Sequence, residues 1–141
     1  MPKDVSTLRL YVMRFVYLLN FVLLGLDVWP ALFRHQGAWD PVKGVAFSFW
    51  AALSLLSGLG LRYPLKMVPL LLLQLVYKAV WLAAVALPIW SAVRSTDLTR
   101  AMVIGVVVDV LAIPWSYVLA SYMKERGDRW REQARAAVAR P

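Results

Sequence analysis

Apolar residues run through this chain in long blocks separated by short polar breaks. Four blocks come close to the roughly 20 residues that a helix needs to cross a bilayer. They extend from about Leu8 to Trp29, Gly44 to Leu61, Leu65 to Trp90 and Leu98 to Met123. The breaks hold residues that stop and start helices. Trp29-Pro30 is expected to end the first helix, because proline cannot continue it and restrains the residue before it. Asp40-Pro41 begins the second, Gly58, Gly60 and Tyr63-Pro64 make a short turn into the third, and Ser95-Thr96-Asp97 offers N-cap side chains to the fourth. The pattern predicts an all-α integral membrane four-helix bundle with short loops. Residues 1–123 form the transmembrane domain and residues 124–141 a basic tail. Leu26-Asp27-Val28-Trp29-Pro30 offers no small-x-small cleavage site, so the first block reads as a retained span and not a signal peptide.

Within the blocks, small and polar residues fall on single faces. The second carries Gly44, Ser48, Ala51, Ser54 and Gly58 at spacings of three and four. Small residues mark close helix contacts in membranes, so this stripe is expected to pack. The fourth carries Ala101, Gly105, Asp109, Ala112, Ser116 and Ala120 at the same spacings, which puts a carboxylate in the packing stripe. The third carries Gln74, Tyr77, Lys78 and Trp81 at i, i+3, i+4 and i+7, one face of a helix. The first contributes Asn20, at a depth where its amide needs a partner. Pro114 is expected to kink the fourth helix and free the Val110 carbonyl beside the polar site.

Lys78 and Asp109 are the most telling residues, because charges at membrane depth are rare, usually paired and usually functional. Counting from Met67, Lys78 is about 17 Å deep, and counting from Met123, Asp109 is about 21 Å deep, at 1.5 Å per residue. A difference of about 4 Å lies within a lysine's reach. An isolated charge at mid-bilayer costs about 2.5–3.5 kcal/mol on insertion scales, so the two are expected to pair. The neighbouring Gln74, Tyr77, Trp81, Asn20 and Ser116 favour a polar cavity around the pair over a lone bridge.

Composition agrees with the hydropathy pattern: 61% of the chain is hydrophobic, and the net charge is +8. The positive charges sit at the ends of the blocks. Lys3, Arg9, Arg14, Arg62, Lys66 and the tail (Lys124, Arg126, Arg129, Arg131, Arg135, Arg140) share one side, against Arg34, Lys43, Arg94 and Arg100 on the other. The richer side is expected to be cytoplasmic, with both termini there. The tail then lies on anionic lipid headgroups, and the same explanation removes the case for nucleic acid. With no cysteine, thiolate metal sites, iron–sulfur clusters and cysteine nucleophiles are excluded. The single histidine, His35, falls outside the blocks, which excludes bis-histidine haem ligation within the chain. The glycines form no nucleotide-binding loop. Neither a cofactor nor a metal is expected.

The run Arg62-Tyr63-Pro64-Leu65-Lys66-Met67-Val68-Pro69-Leu70, with Gln74-Leu75-Val76-Tyr77-Lys78 and the earlier Gly44-Val45-Ala46-Phe47-Ser48-Phe49-Trp50, resembles uncharacterised four-helix bacterial inner-membrane proteins. That resemblance implies a bacterial inner (plasma) membrane location and no activity. The expected function is to bind or transport a small amphipathic or anionic ligand, or protons, in a cavity centred on Lys78 and Asp109. Transport would need a homo-oligomer. One alternative is an accessory subunit held to a larger membrane-protein partner. Another is a membrane-embedded enzyme on a lipid or isoprenoid, with Asp109 as proton donor and Trp81 or Trp115 as cation-stabilising rings.

Overall fold

The computed structural model describes residues 5–125 and Val138, and over them it is all-helical, with no strand. Lys3, the expected basic tail beyond Glu125 and its arginines lie outside the described residues. Helix α1 (Thr7–Arg34), helix α2 (Pro41–Arg62) and helix α3 (Val68–Val93) are each long and apolar enough to cross a membrane. The fourth block is two helices, α4 (Asp97–Ala112) and α5 (Trp115–Lys124), bent by 70° at their junction. Among the described residues there are thus three candidate spans, and a fourth if the bent pair counts as one.

The helices start where the side chains cap them. Ser6 accepts from the Arg9 N–H at 3.3 Å, Asp40 from the Lys43 N–H at 2.8 Å, and Thr96 from the Thr99 N–H at 3.3 Å. Two boundaries depart from expectation. α1 does not stop at Trp29-Pro30 but runs through Pro30 to Arg34. The proline sacrifices one backbone bond near the helix end, its fixed φ suits a helix, and the turn beyond it packs on α2 while Trp29 stacks on Phe33 at 5.9 Å. α3 starts at Val68 and not Leu65, because Tyr63–Met67 closes into a turn in which the Met67 N–H donates to the Tyr63 carbonyl at 3.1 Å.

The expected kink at Pro114 is a full break. Ile113 and Pro114 leave the helical conformation, and α5 sets off in a new direction. The Val110 carbonyl is not left free, as Trp115 Nε1 donates to it at 2.8 Å. The next carbonyl, Leu111, accepts from Arg9 Nη2 at 3.2 Å, and the Ile113 N–H donates to the Asp109 carbonyl at 2.9 Å. A break in a membrane helix exposes backbone groups that lipid cannot satisfy, and here side chains answer for them.

α1 organises the rest. Its first half packs on both α2 and α4; past Leu19 its principal neighbour is α2. Arg14 Nε donates to the Leu61 carbonyl at the end of α2 at 3.1 Å, and the Tyr17 hydroxyl donates to the Pro64 carbonyl at 3.1 Å. The α1–α2 seam is built on glycines. Gly25 faces the Ser54 hydroxyl, which donates to the Phe21 carbonyl at 3.1 Å, Gly58 faces the Phe21 ring, and Gly60 lies under the Tyr17 ring. Of the small stripe expected on α2, Ala51 and Ser54 are buried and Ser48 is exposed; towards the turn the seam passes to Ser57 and Gly60. α3 packs chiefly on α4 and also meets α2, with Tyr77 edge-on to Phe49 at 5.1 Å. A dry core of Met13, Tyr17, Leu71 and Ile113, all fully buried, fills the end of the molecule that carries the α2–α3 turn.

Gly60→Ala would push a methyl group into the buried Tyr17 ring and should destabilise the protein by about 1–3 kcal/mol. Gly44→Ala, whose added Cβ would meet Trp39 at an ordinary 3.6 Å, should change little. Thermal unfolding of the two variants in detergent measures the contrast.

Candidate functional site

Lys78 sits on α3 one turn beyond Gln74, and Asp109 sits on α4 one turn before the break. Lys78 Nζ lies 2.7 Å from Asp109 Oδ2, with side-chain exposures of 11% and 1%. The same ammonium donates to Gln74 Oε1 at 3.2 Å and stands 5.9 Å from the Tyr77 ring centroid. The expected pairing across the two helices is present. Its geometry depends on Gly105, one turn before Asp109. A Cβ there would come within 2.8 Å of Lys78 Nζ and 3.0 Å of its Cδ and Cε, so the lysine stem lies in the groove this glycine leaves. The backbone bonds around the break fix the last turn of α4, and with it the position of the carboxylate.

The pair forms one wall of a cavity of about 470 Å³. α1 contributes Asn20, Leu24 and Asp27; α2 contributes Trp50 and Leu53; α3 contributes Gln74, Tyr77 and Lys78; α4 contributes Met102, Gly105 and Asp109. The volume falls within the range of small-molecule sites, about 300–1,000 Å³, and so does the mixture of an apolar lining with a few convergent polar groups. The cavity lies beside the dry core, sharing Val16 and Leu53 with it, and extends to where α1 has parted from α4. On its rim Leu23 of α1 and Ile104 of α4 are 60% and 62% exposed.

Two buried amide nitrogens, Asn20 Nδ2 and Gln74 Nε2, have no hydrogen-bond partner among the described residues. Both residues line the cavity. Gln74 is fully buried, and its oxygen is committed to Lys78, which leaves its amino group as the remaining donor. Asn20 opens a widened π-helical stretch, Asn20–Leu24, and a second, Trp81–Ala86, begins three residues after Lys78. Such turns occur frequently at functional positions.

Lys78, Asp109, Gln74, Tyr77 and Asn20 are thus brought together as the spacing suggests. Trp81 and Ser116 are not among the cavity's lining. Trp81 is half-buried at the point where the α-helical register gives way to the wider turn, so i+7 from Gln74 no longer means the same face. Ser116 lies beyond the break, exposed on α5, because the bend carries it off the stripe that holds Asp109. Sequence reasoning missed Trp50, Asp27 and the specific role of Gly105. Gly105 had a visible signal, its place one turn before Asp109. Trp50 had none, since it lies off the small-residue stripe of its helix. Among the described residues no three of His, Cys, Asp or Glu gather as a metal site.

Compared with protein families, curated proteins and solved structures, the chain matches none of them.

Removing one member of a buried pair strands the other charge, at a cost of about 3–5 kcal/mol. Lys78→Met and Asp109→Leu should each destabilise the protein by that order, and the double variant should recover most of the loss. A double-mutant cycle by unfolding in mixed micelles reads the coupling directly.

Proposed function

We propose that the protein is a multi-pass four-helix bundle of the bacterial inner membrane, with both termini cytoplasmic, whose intramembrane cavity binds a small ligand. One observation carries this reading: a buried ion pair shares a cavity with two buried amide donors that nothing among the described residues satisfies. A salt bridge needed only for helix register would be stabilised by a closed, dry surround. Leaving buried donors unpaired costs about 1–3 kcal/mol each unless another molecule meets them.

The orientation rests on the lysines and arginines. Arg9, Arg14, Arg62 and Lys66 cluster at the end with the α2–α3 turn, and Arg34, Lys43, Arg94 and Arg100 are spread over the other. Binding is favoured over conduction because the packed layer of Met13, Tyr17, Leu71 and Ile113 lies between the cavity and the turn end. Passage through a single copy has no polar route there, so transport would require a second copy. Catalysis is disfavoured because the one deeply buried carboxylate among the described residues is already held by Lys78.

Two measurements test the proposal. The chain has no cysteine, so single substitutions report sidedness cleanly. Ala38→Cys should react with an impermeant maleimide on intact cells, and Lys66→Cys only after permeabilisation. For binding, native mass spectrometry of protein extracted in gentle detergent should show a retained small molecule in the wild type. Lys78→Met should lose it while still inserting. Retention of the same molecule by Lys78→Met combined with Asp109→Leu would make the pair purely structural.

A further inference from the structure

The polar inventory of the cavity narrows the ligand beyond the binding reading on which this inference rests. We infer that the site takes a neutral, membrane-soluble molecule with hydrogen-bond-accepting oxygens on its head, such as an ester, ketone or quinone carbonyl, admitted sideways between α1 and α4. Three observations converge. The buried charges already cancel each other: the Lys78 ammonium and the Asp109 carboxylate are bonded at 2.7 Å, and Asp27, the other carboxylate on the lining, is exposed. The buried polar atoms left over are of one kind. Both buried side-chain atoms without a partner are amide nitrogens, and the Gln74 oxygen is spent on Lys78, so the site still offers donors. The cavity's rim faces the surroundings of the protein, and apart from Asp27 its exposed residues are apolar, with Leu23 on one side and Ile104 on the other.

Other head groups fit less well. An anion would gain Lys78, but it would also face the carboxylate already bonded to that ammonium and the exposed Asp27 on the lining. It would have to be desolvated in a place with no net positive charge to receive it. A cation would find the ammonium in its way and, among the described residues, no unpartnered buried side-chain oxygen; the Asp27 carboxylate on the lining is exposed and offers it only a hydrated contact. A pure hydrocarbon would fill the apolar part and leave both amides unmet. A neutral acceptor satisfies the donors at no charge cost, and its apolar body continues along the lining of Leu24, Leu53 and Met102 into the lateral gap. The parting of α1 from α4 beyond Leu19 supplies that gap without any movement of the dry core.

Probes matched in their ten-carbon chain separate these cases: methyl decanoate, decanoate, decylammonium and decane, each titrated against the full chain in detergent with the shift of the thermal midpoint as readout. Methyl decanoate should bind about twentyfold more tightly than decane, the worth of two ordinary hydrogen bonds. Asn20→Leu, which leaves the ion pair untouched, should remove a large part of that advantage while decane binding persists, and Gln74→Leu should remove a similar part. Ala101→Trp, which fills the cavity, should abolish the shift from both. Equal affinity for methyl decanoate and decane, or a preference for decanoate or decylammonium, would overturn the assignment of the head group but leave a binding cavity in place. No cavity-dependent shift from any probe would overturn the cavity as a binding site altogether.

Discussion

Two opposite charges within a largely apolar molecule must find each other, and the arrangement of the helices follows from that demand. Lys78 is on α3 and Asp109 on α4, so the pair fixes both the rotation and the relative height of those helices. Small residues do the rest on the α4 side. Gly105 gives the lysine stem its groove, and Ala112 is fully buried where α4 ends. The Coulombic gain depends on close contact, because a desolvated pair with poor geometry does not recover its burial cost.

α1 plays the complementary part. It reaches two helix ends that would otherwise present bare carbonyls, the end of α2 through Arg14 and the broken end of α4 through Arg9. Having tied these at one end of the molecule, it follows α2 and leaves α4. A tight junction at one end and a parting at the other produce the cavity. The same helix thus holds the scaffold closed and opens the space beside the ion pair. Asn20 sits where the two behaviours change over, in a widened turn that brings its amide to the lining.

Much of this was legible in the sequence because membrane depth is a strong constraint on polarity. The positions of the apolar helices, the capping residues Asp40 and Thr96, and the partnership of Lys78 with Asp109 all follow from hydropathy, turn chemistry and the cost of an unpaired charge. What escaped was governed by local backbone irregularity. Pro30 is tolerated inside α1, yet Pro114 ends α4 outright, and the difference lies in partners on other helices. Arg9 supports the second break, and no helix-local signal announces an arginine so far away in sequence. The turn that widens at Trp81 and the bend before Ser116 shift the faces on which both residues were expected. Periodicity assumes an unbroken helix, and it fails where the helix departs from 3.6 residues per turn.

The bond from Lys78 to Gln74 has a meaning in biogenesis. Lys78 and Asp109 are 31 residues apart, so at about 5–20 residues per second the ammonium exists for some seconds before its carboxylate has been synthesised. During that interval the rest of α4 is still unmade. Gln74, one turn back on the same helix, is made before the lysine, and its amide oxygen accepts from the ammonium in the finished protein. With the Tyr77 ring, it is a partner at the site that a nascent third helix carries with it. The glutamine is thus placed to receive that charge before its permanent counter-ion exists, and it still holds it in the finished protein.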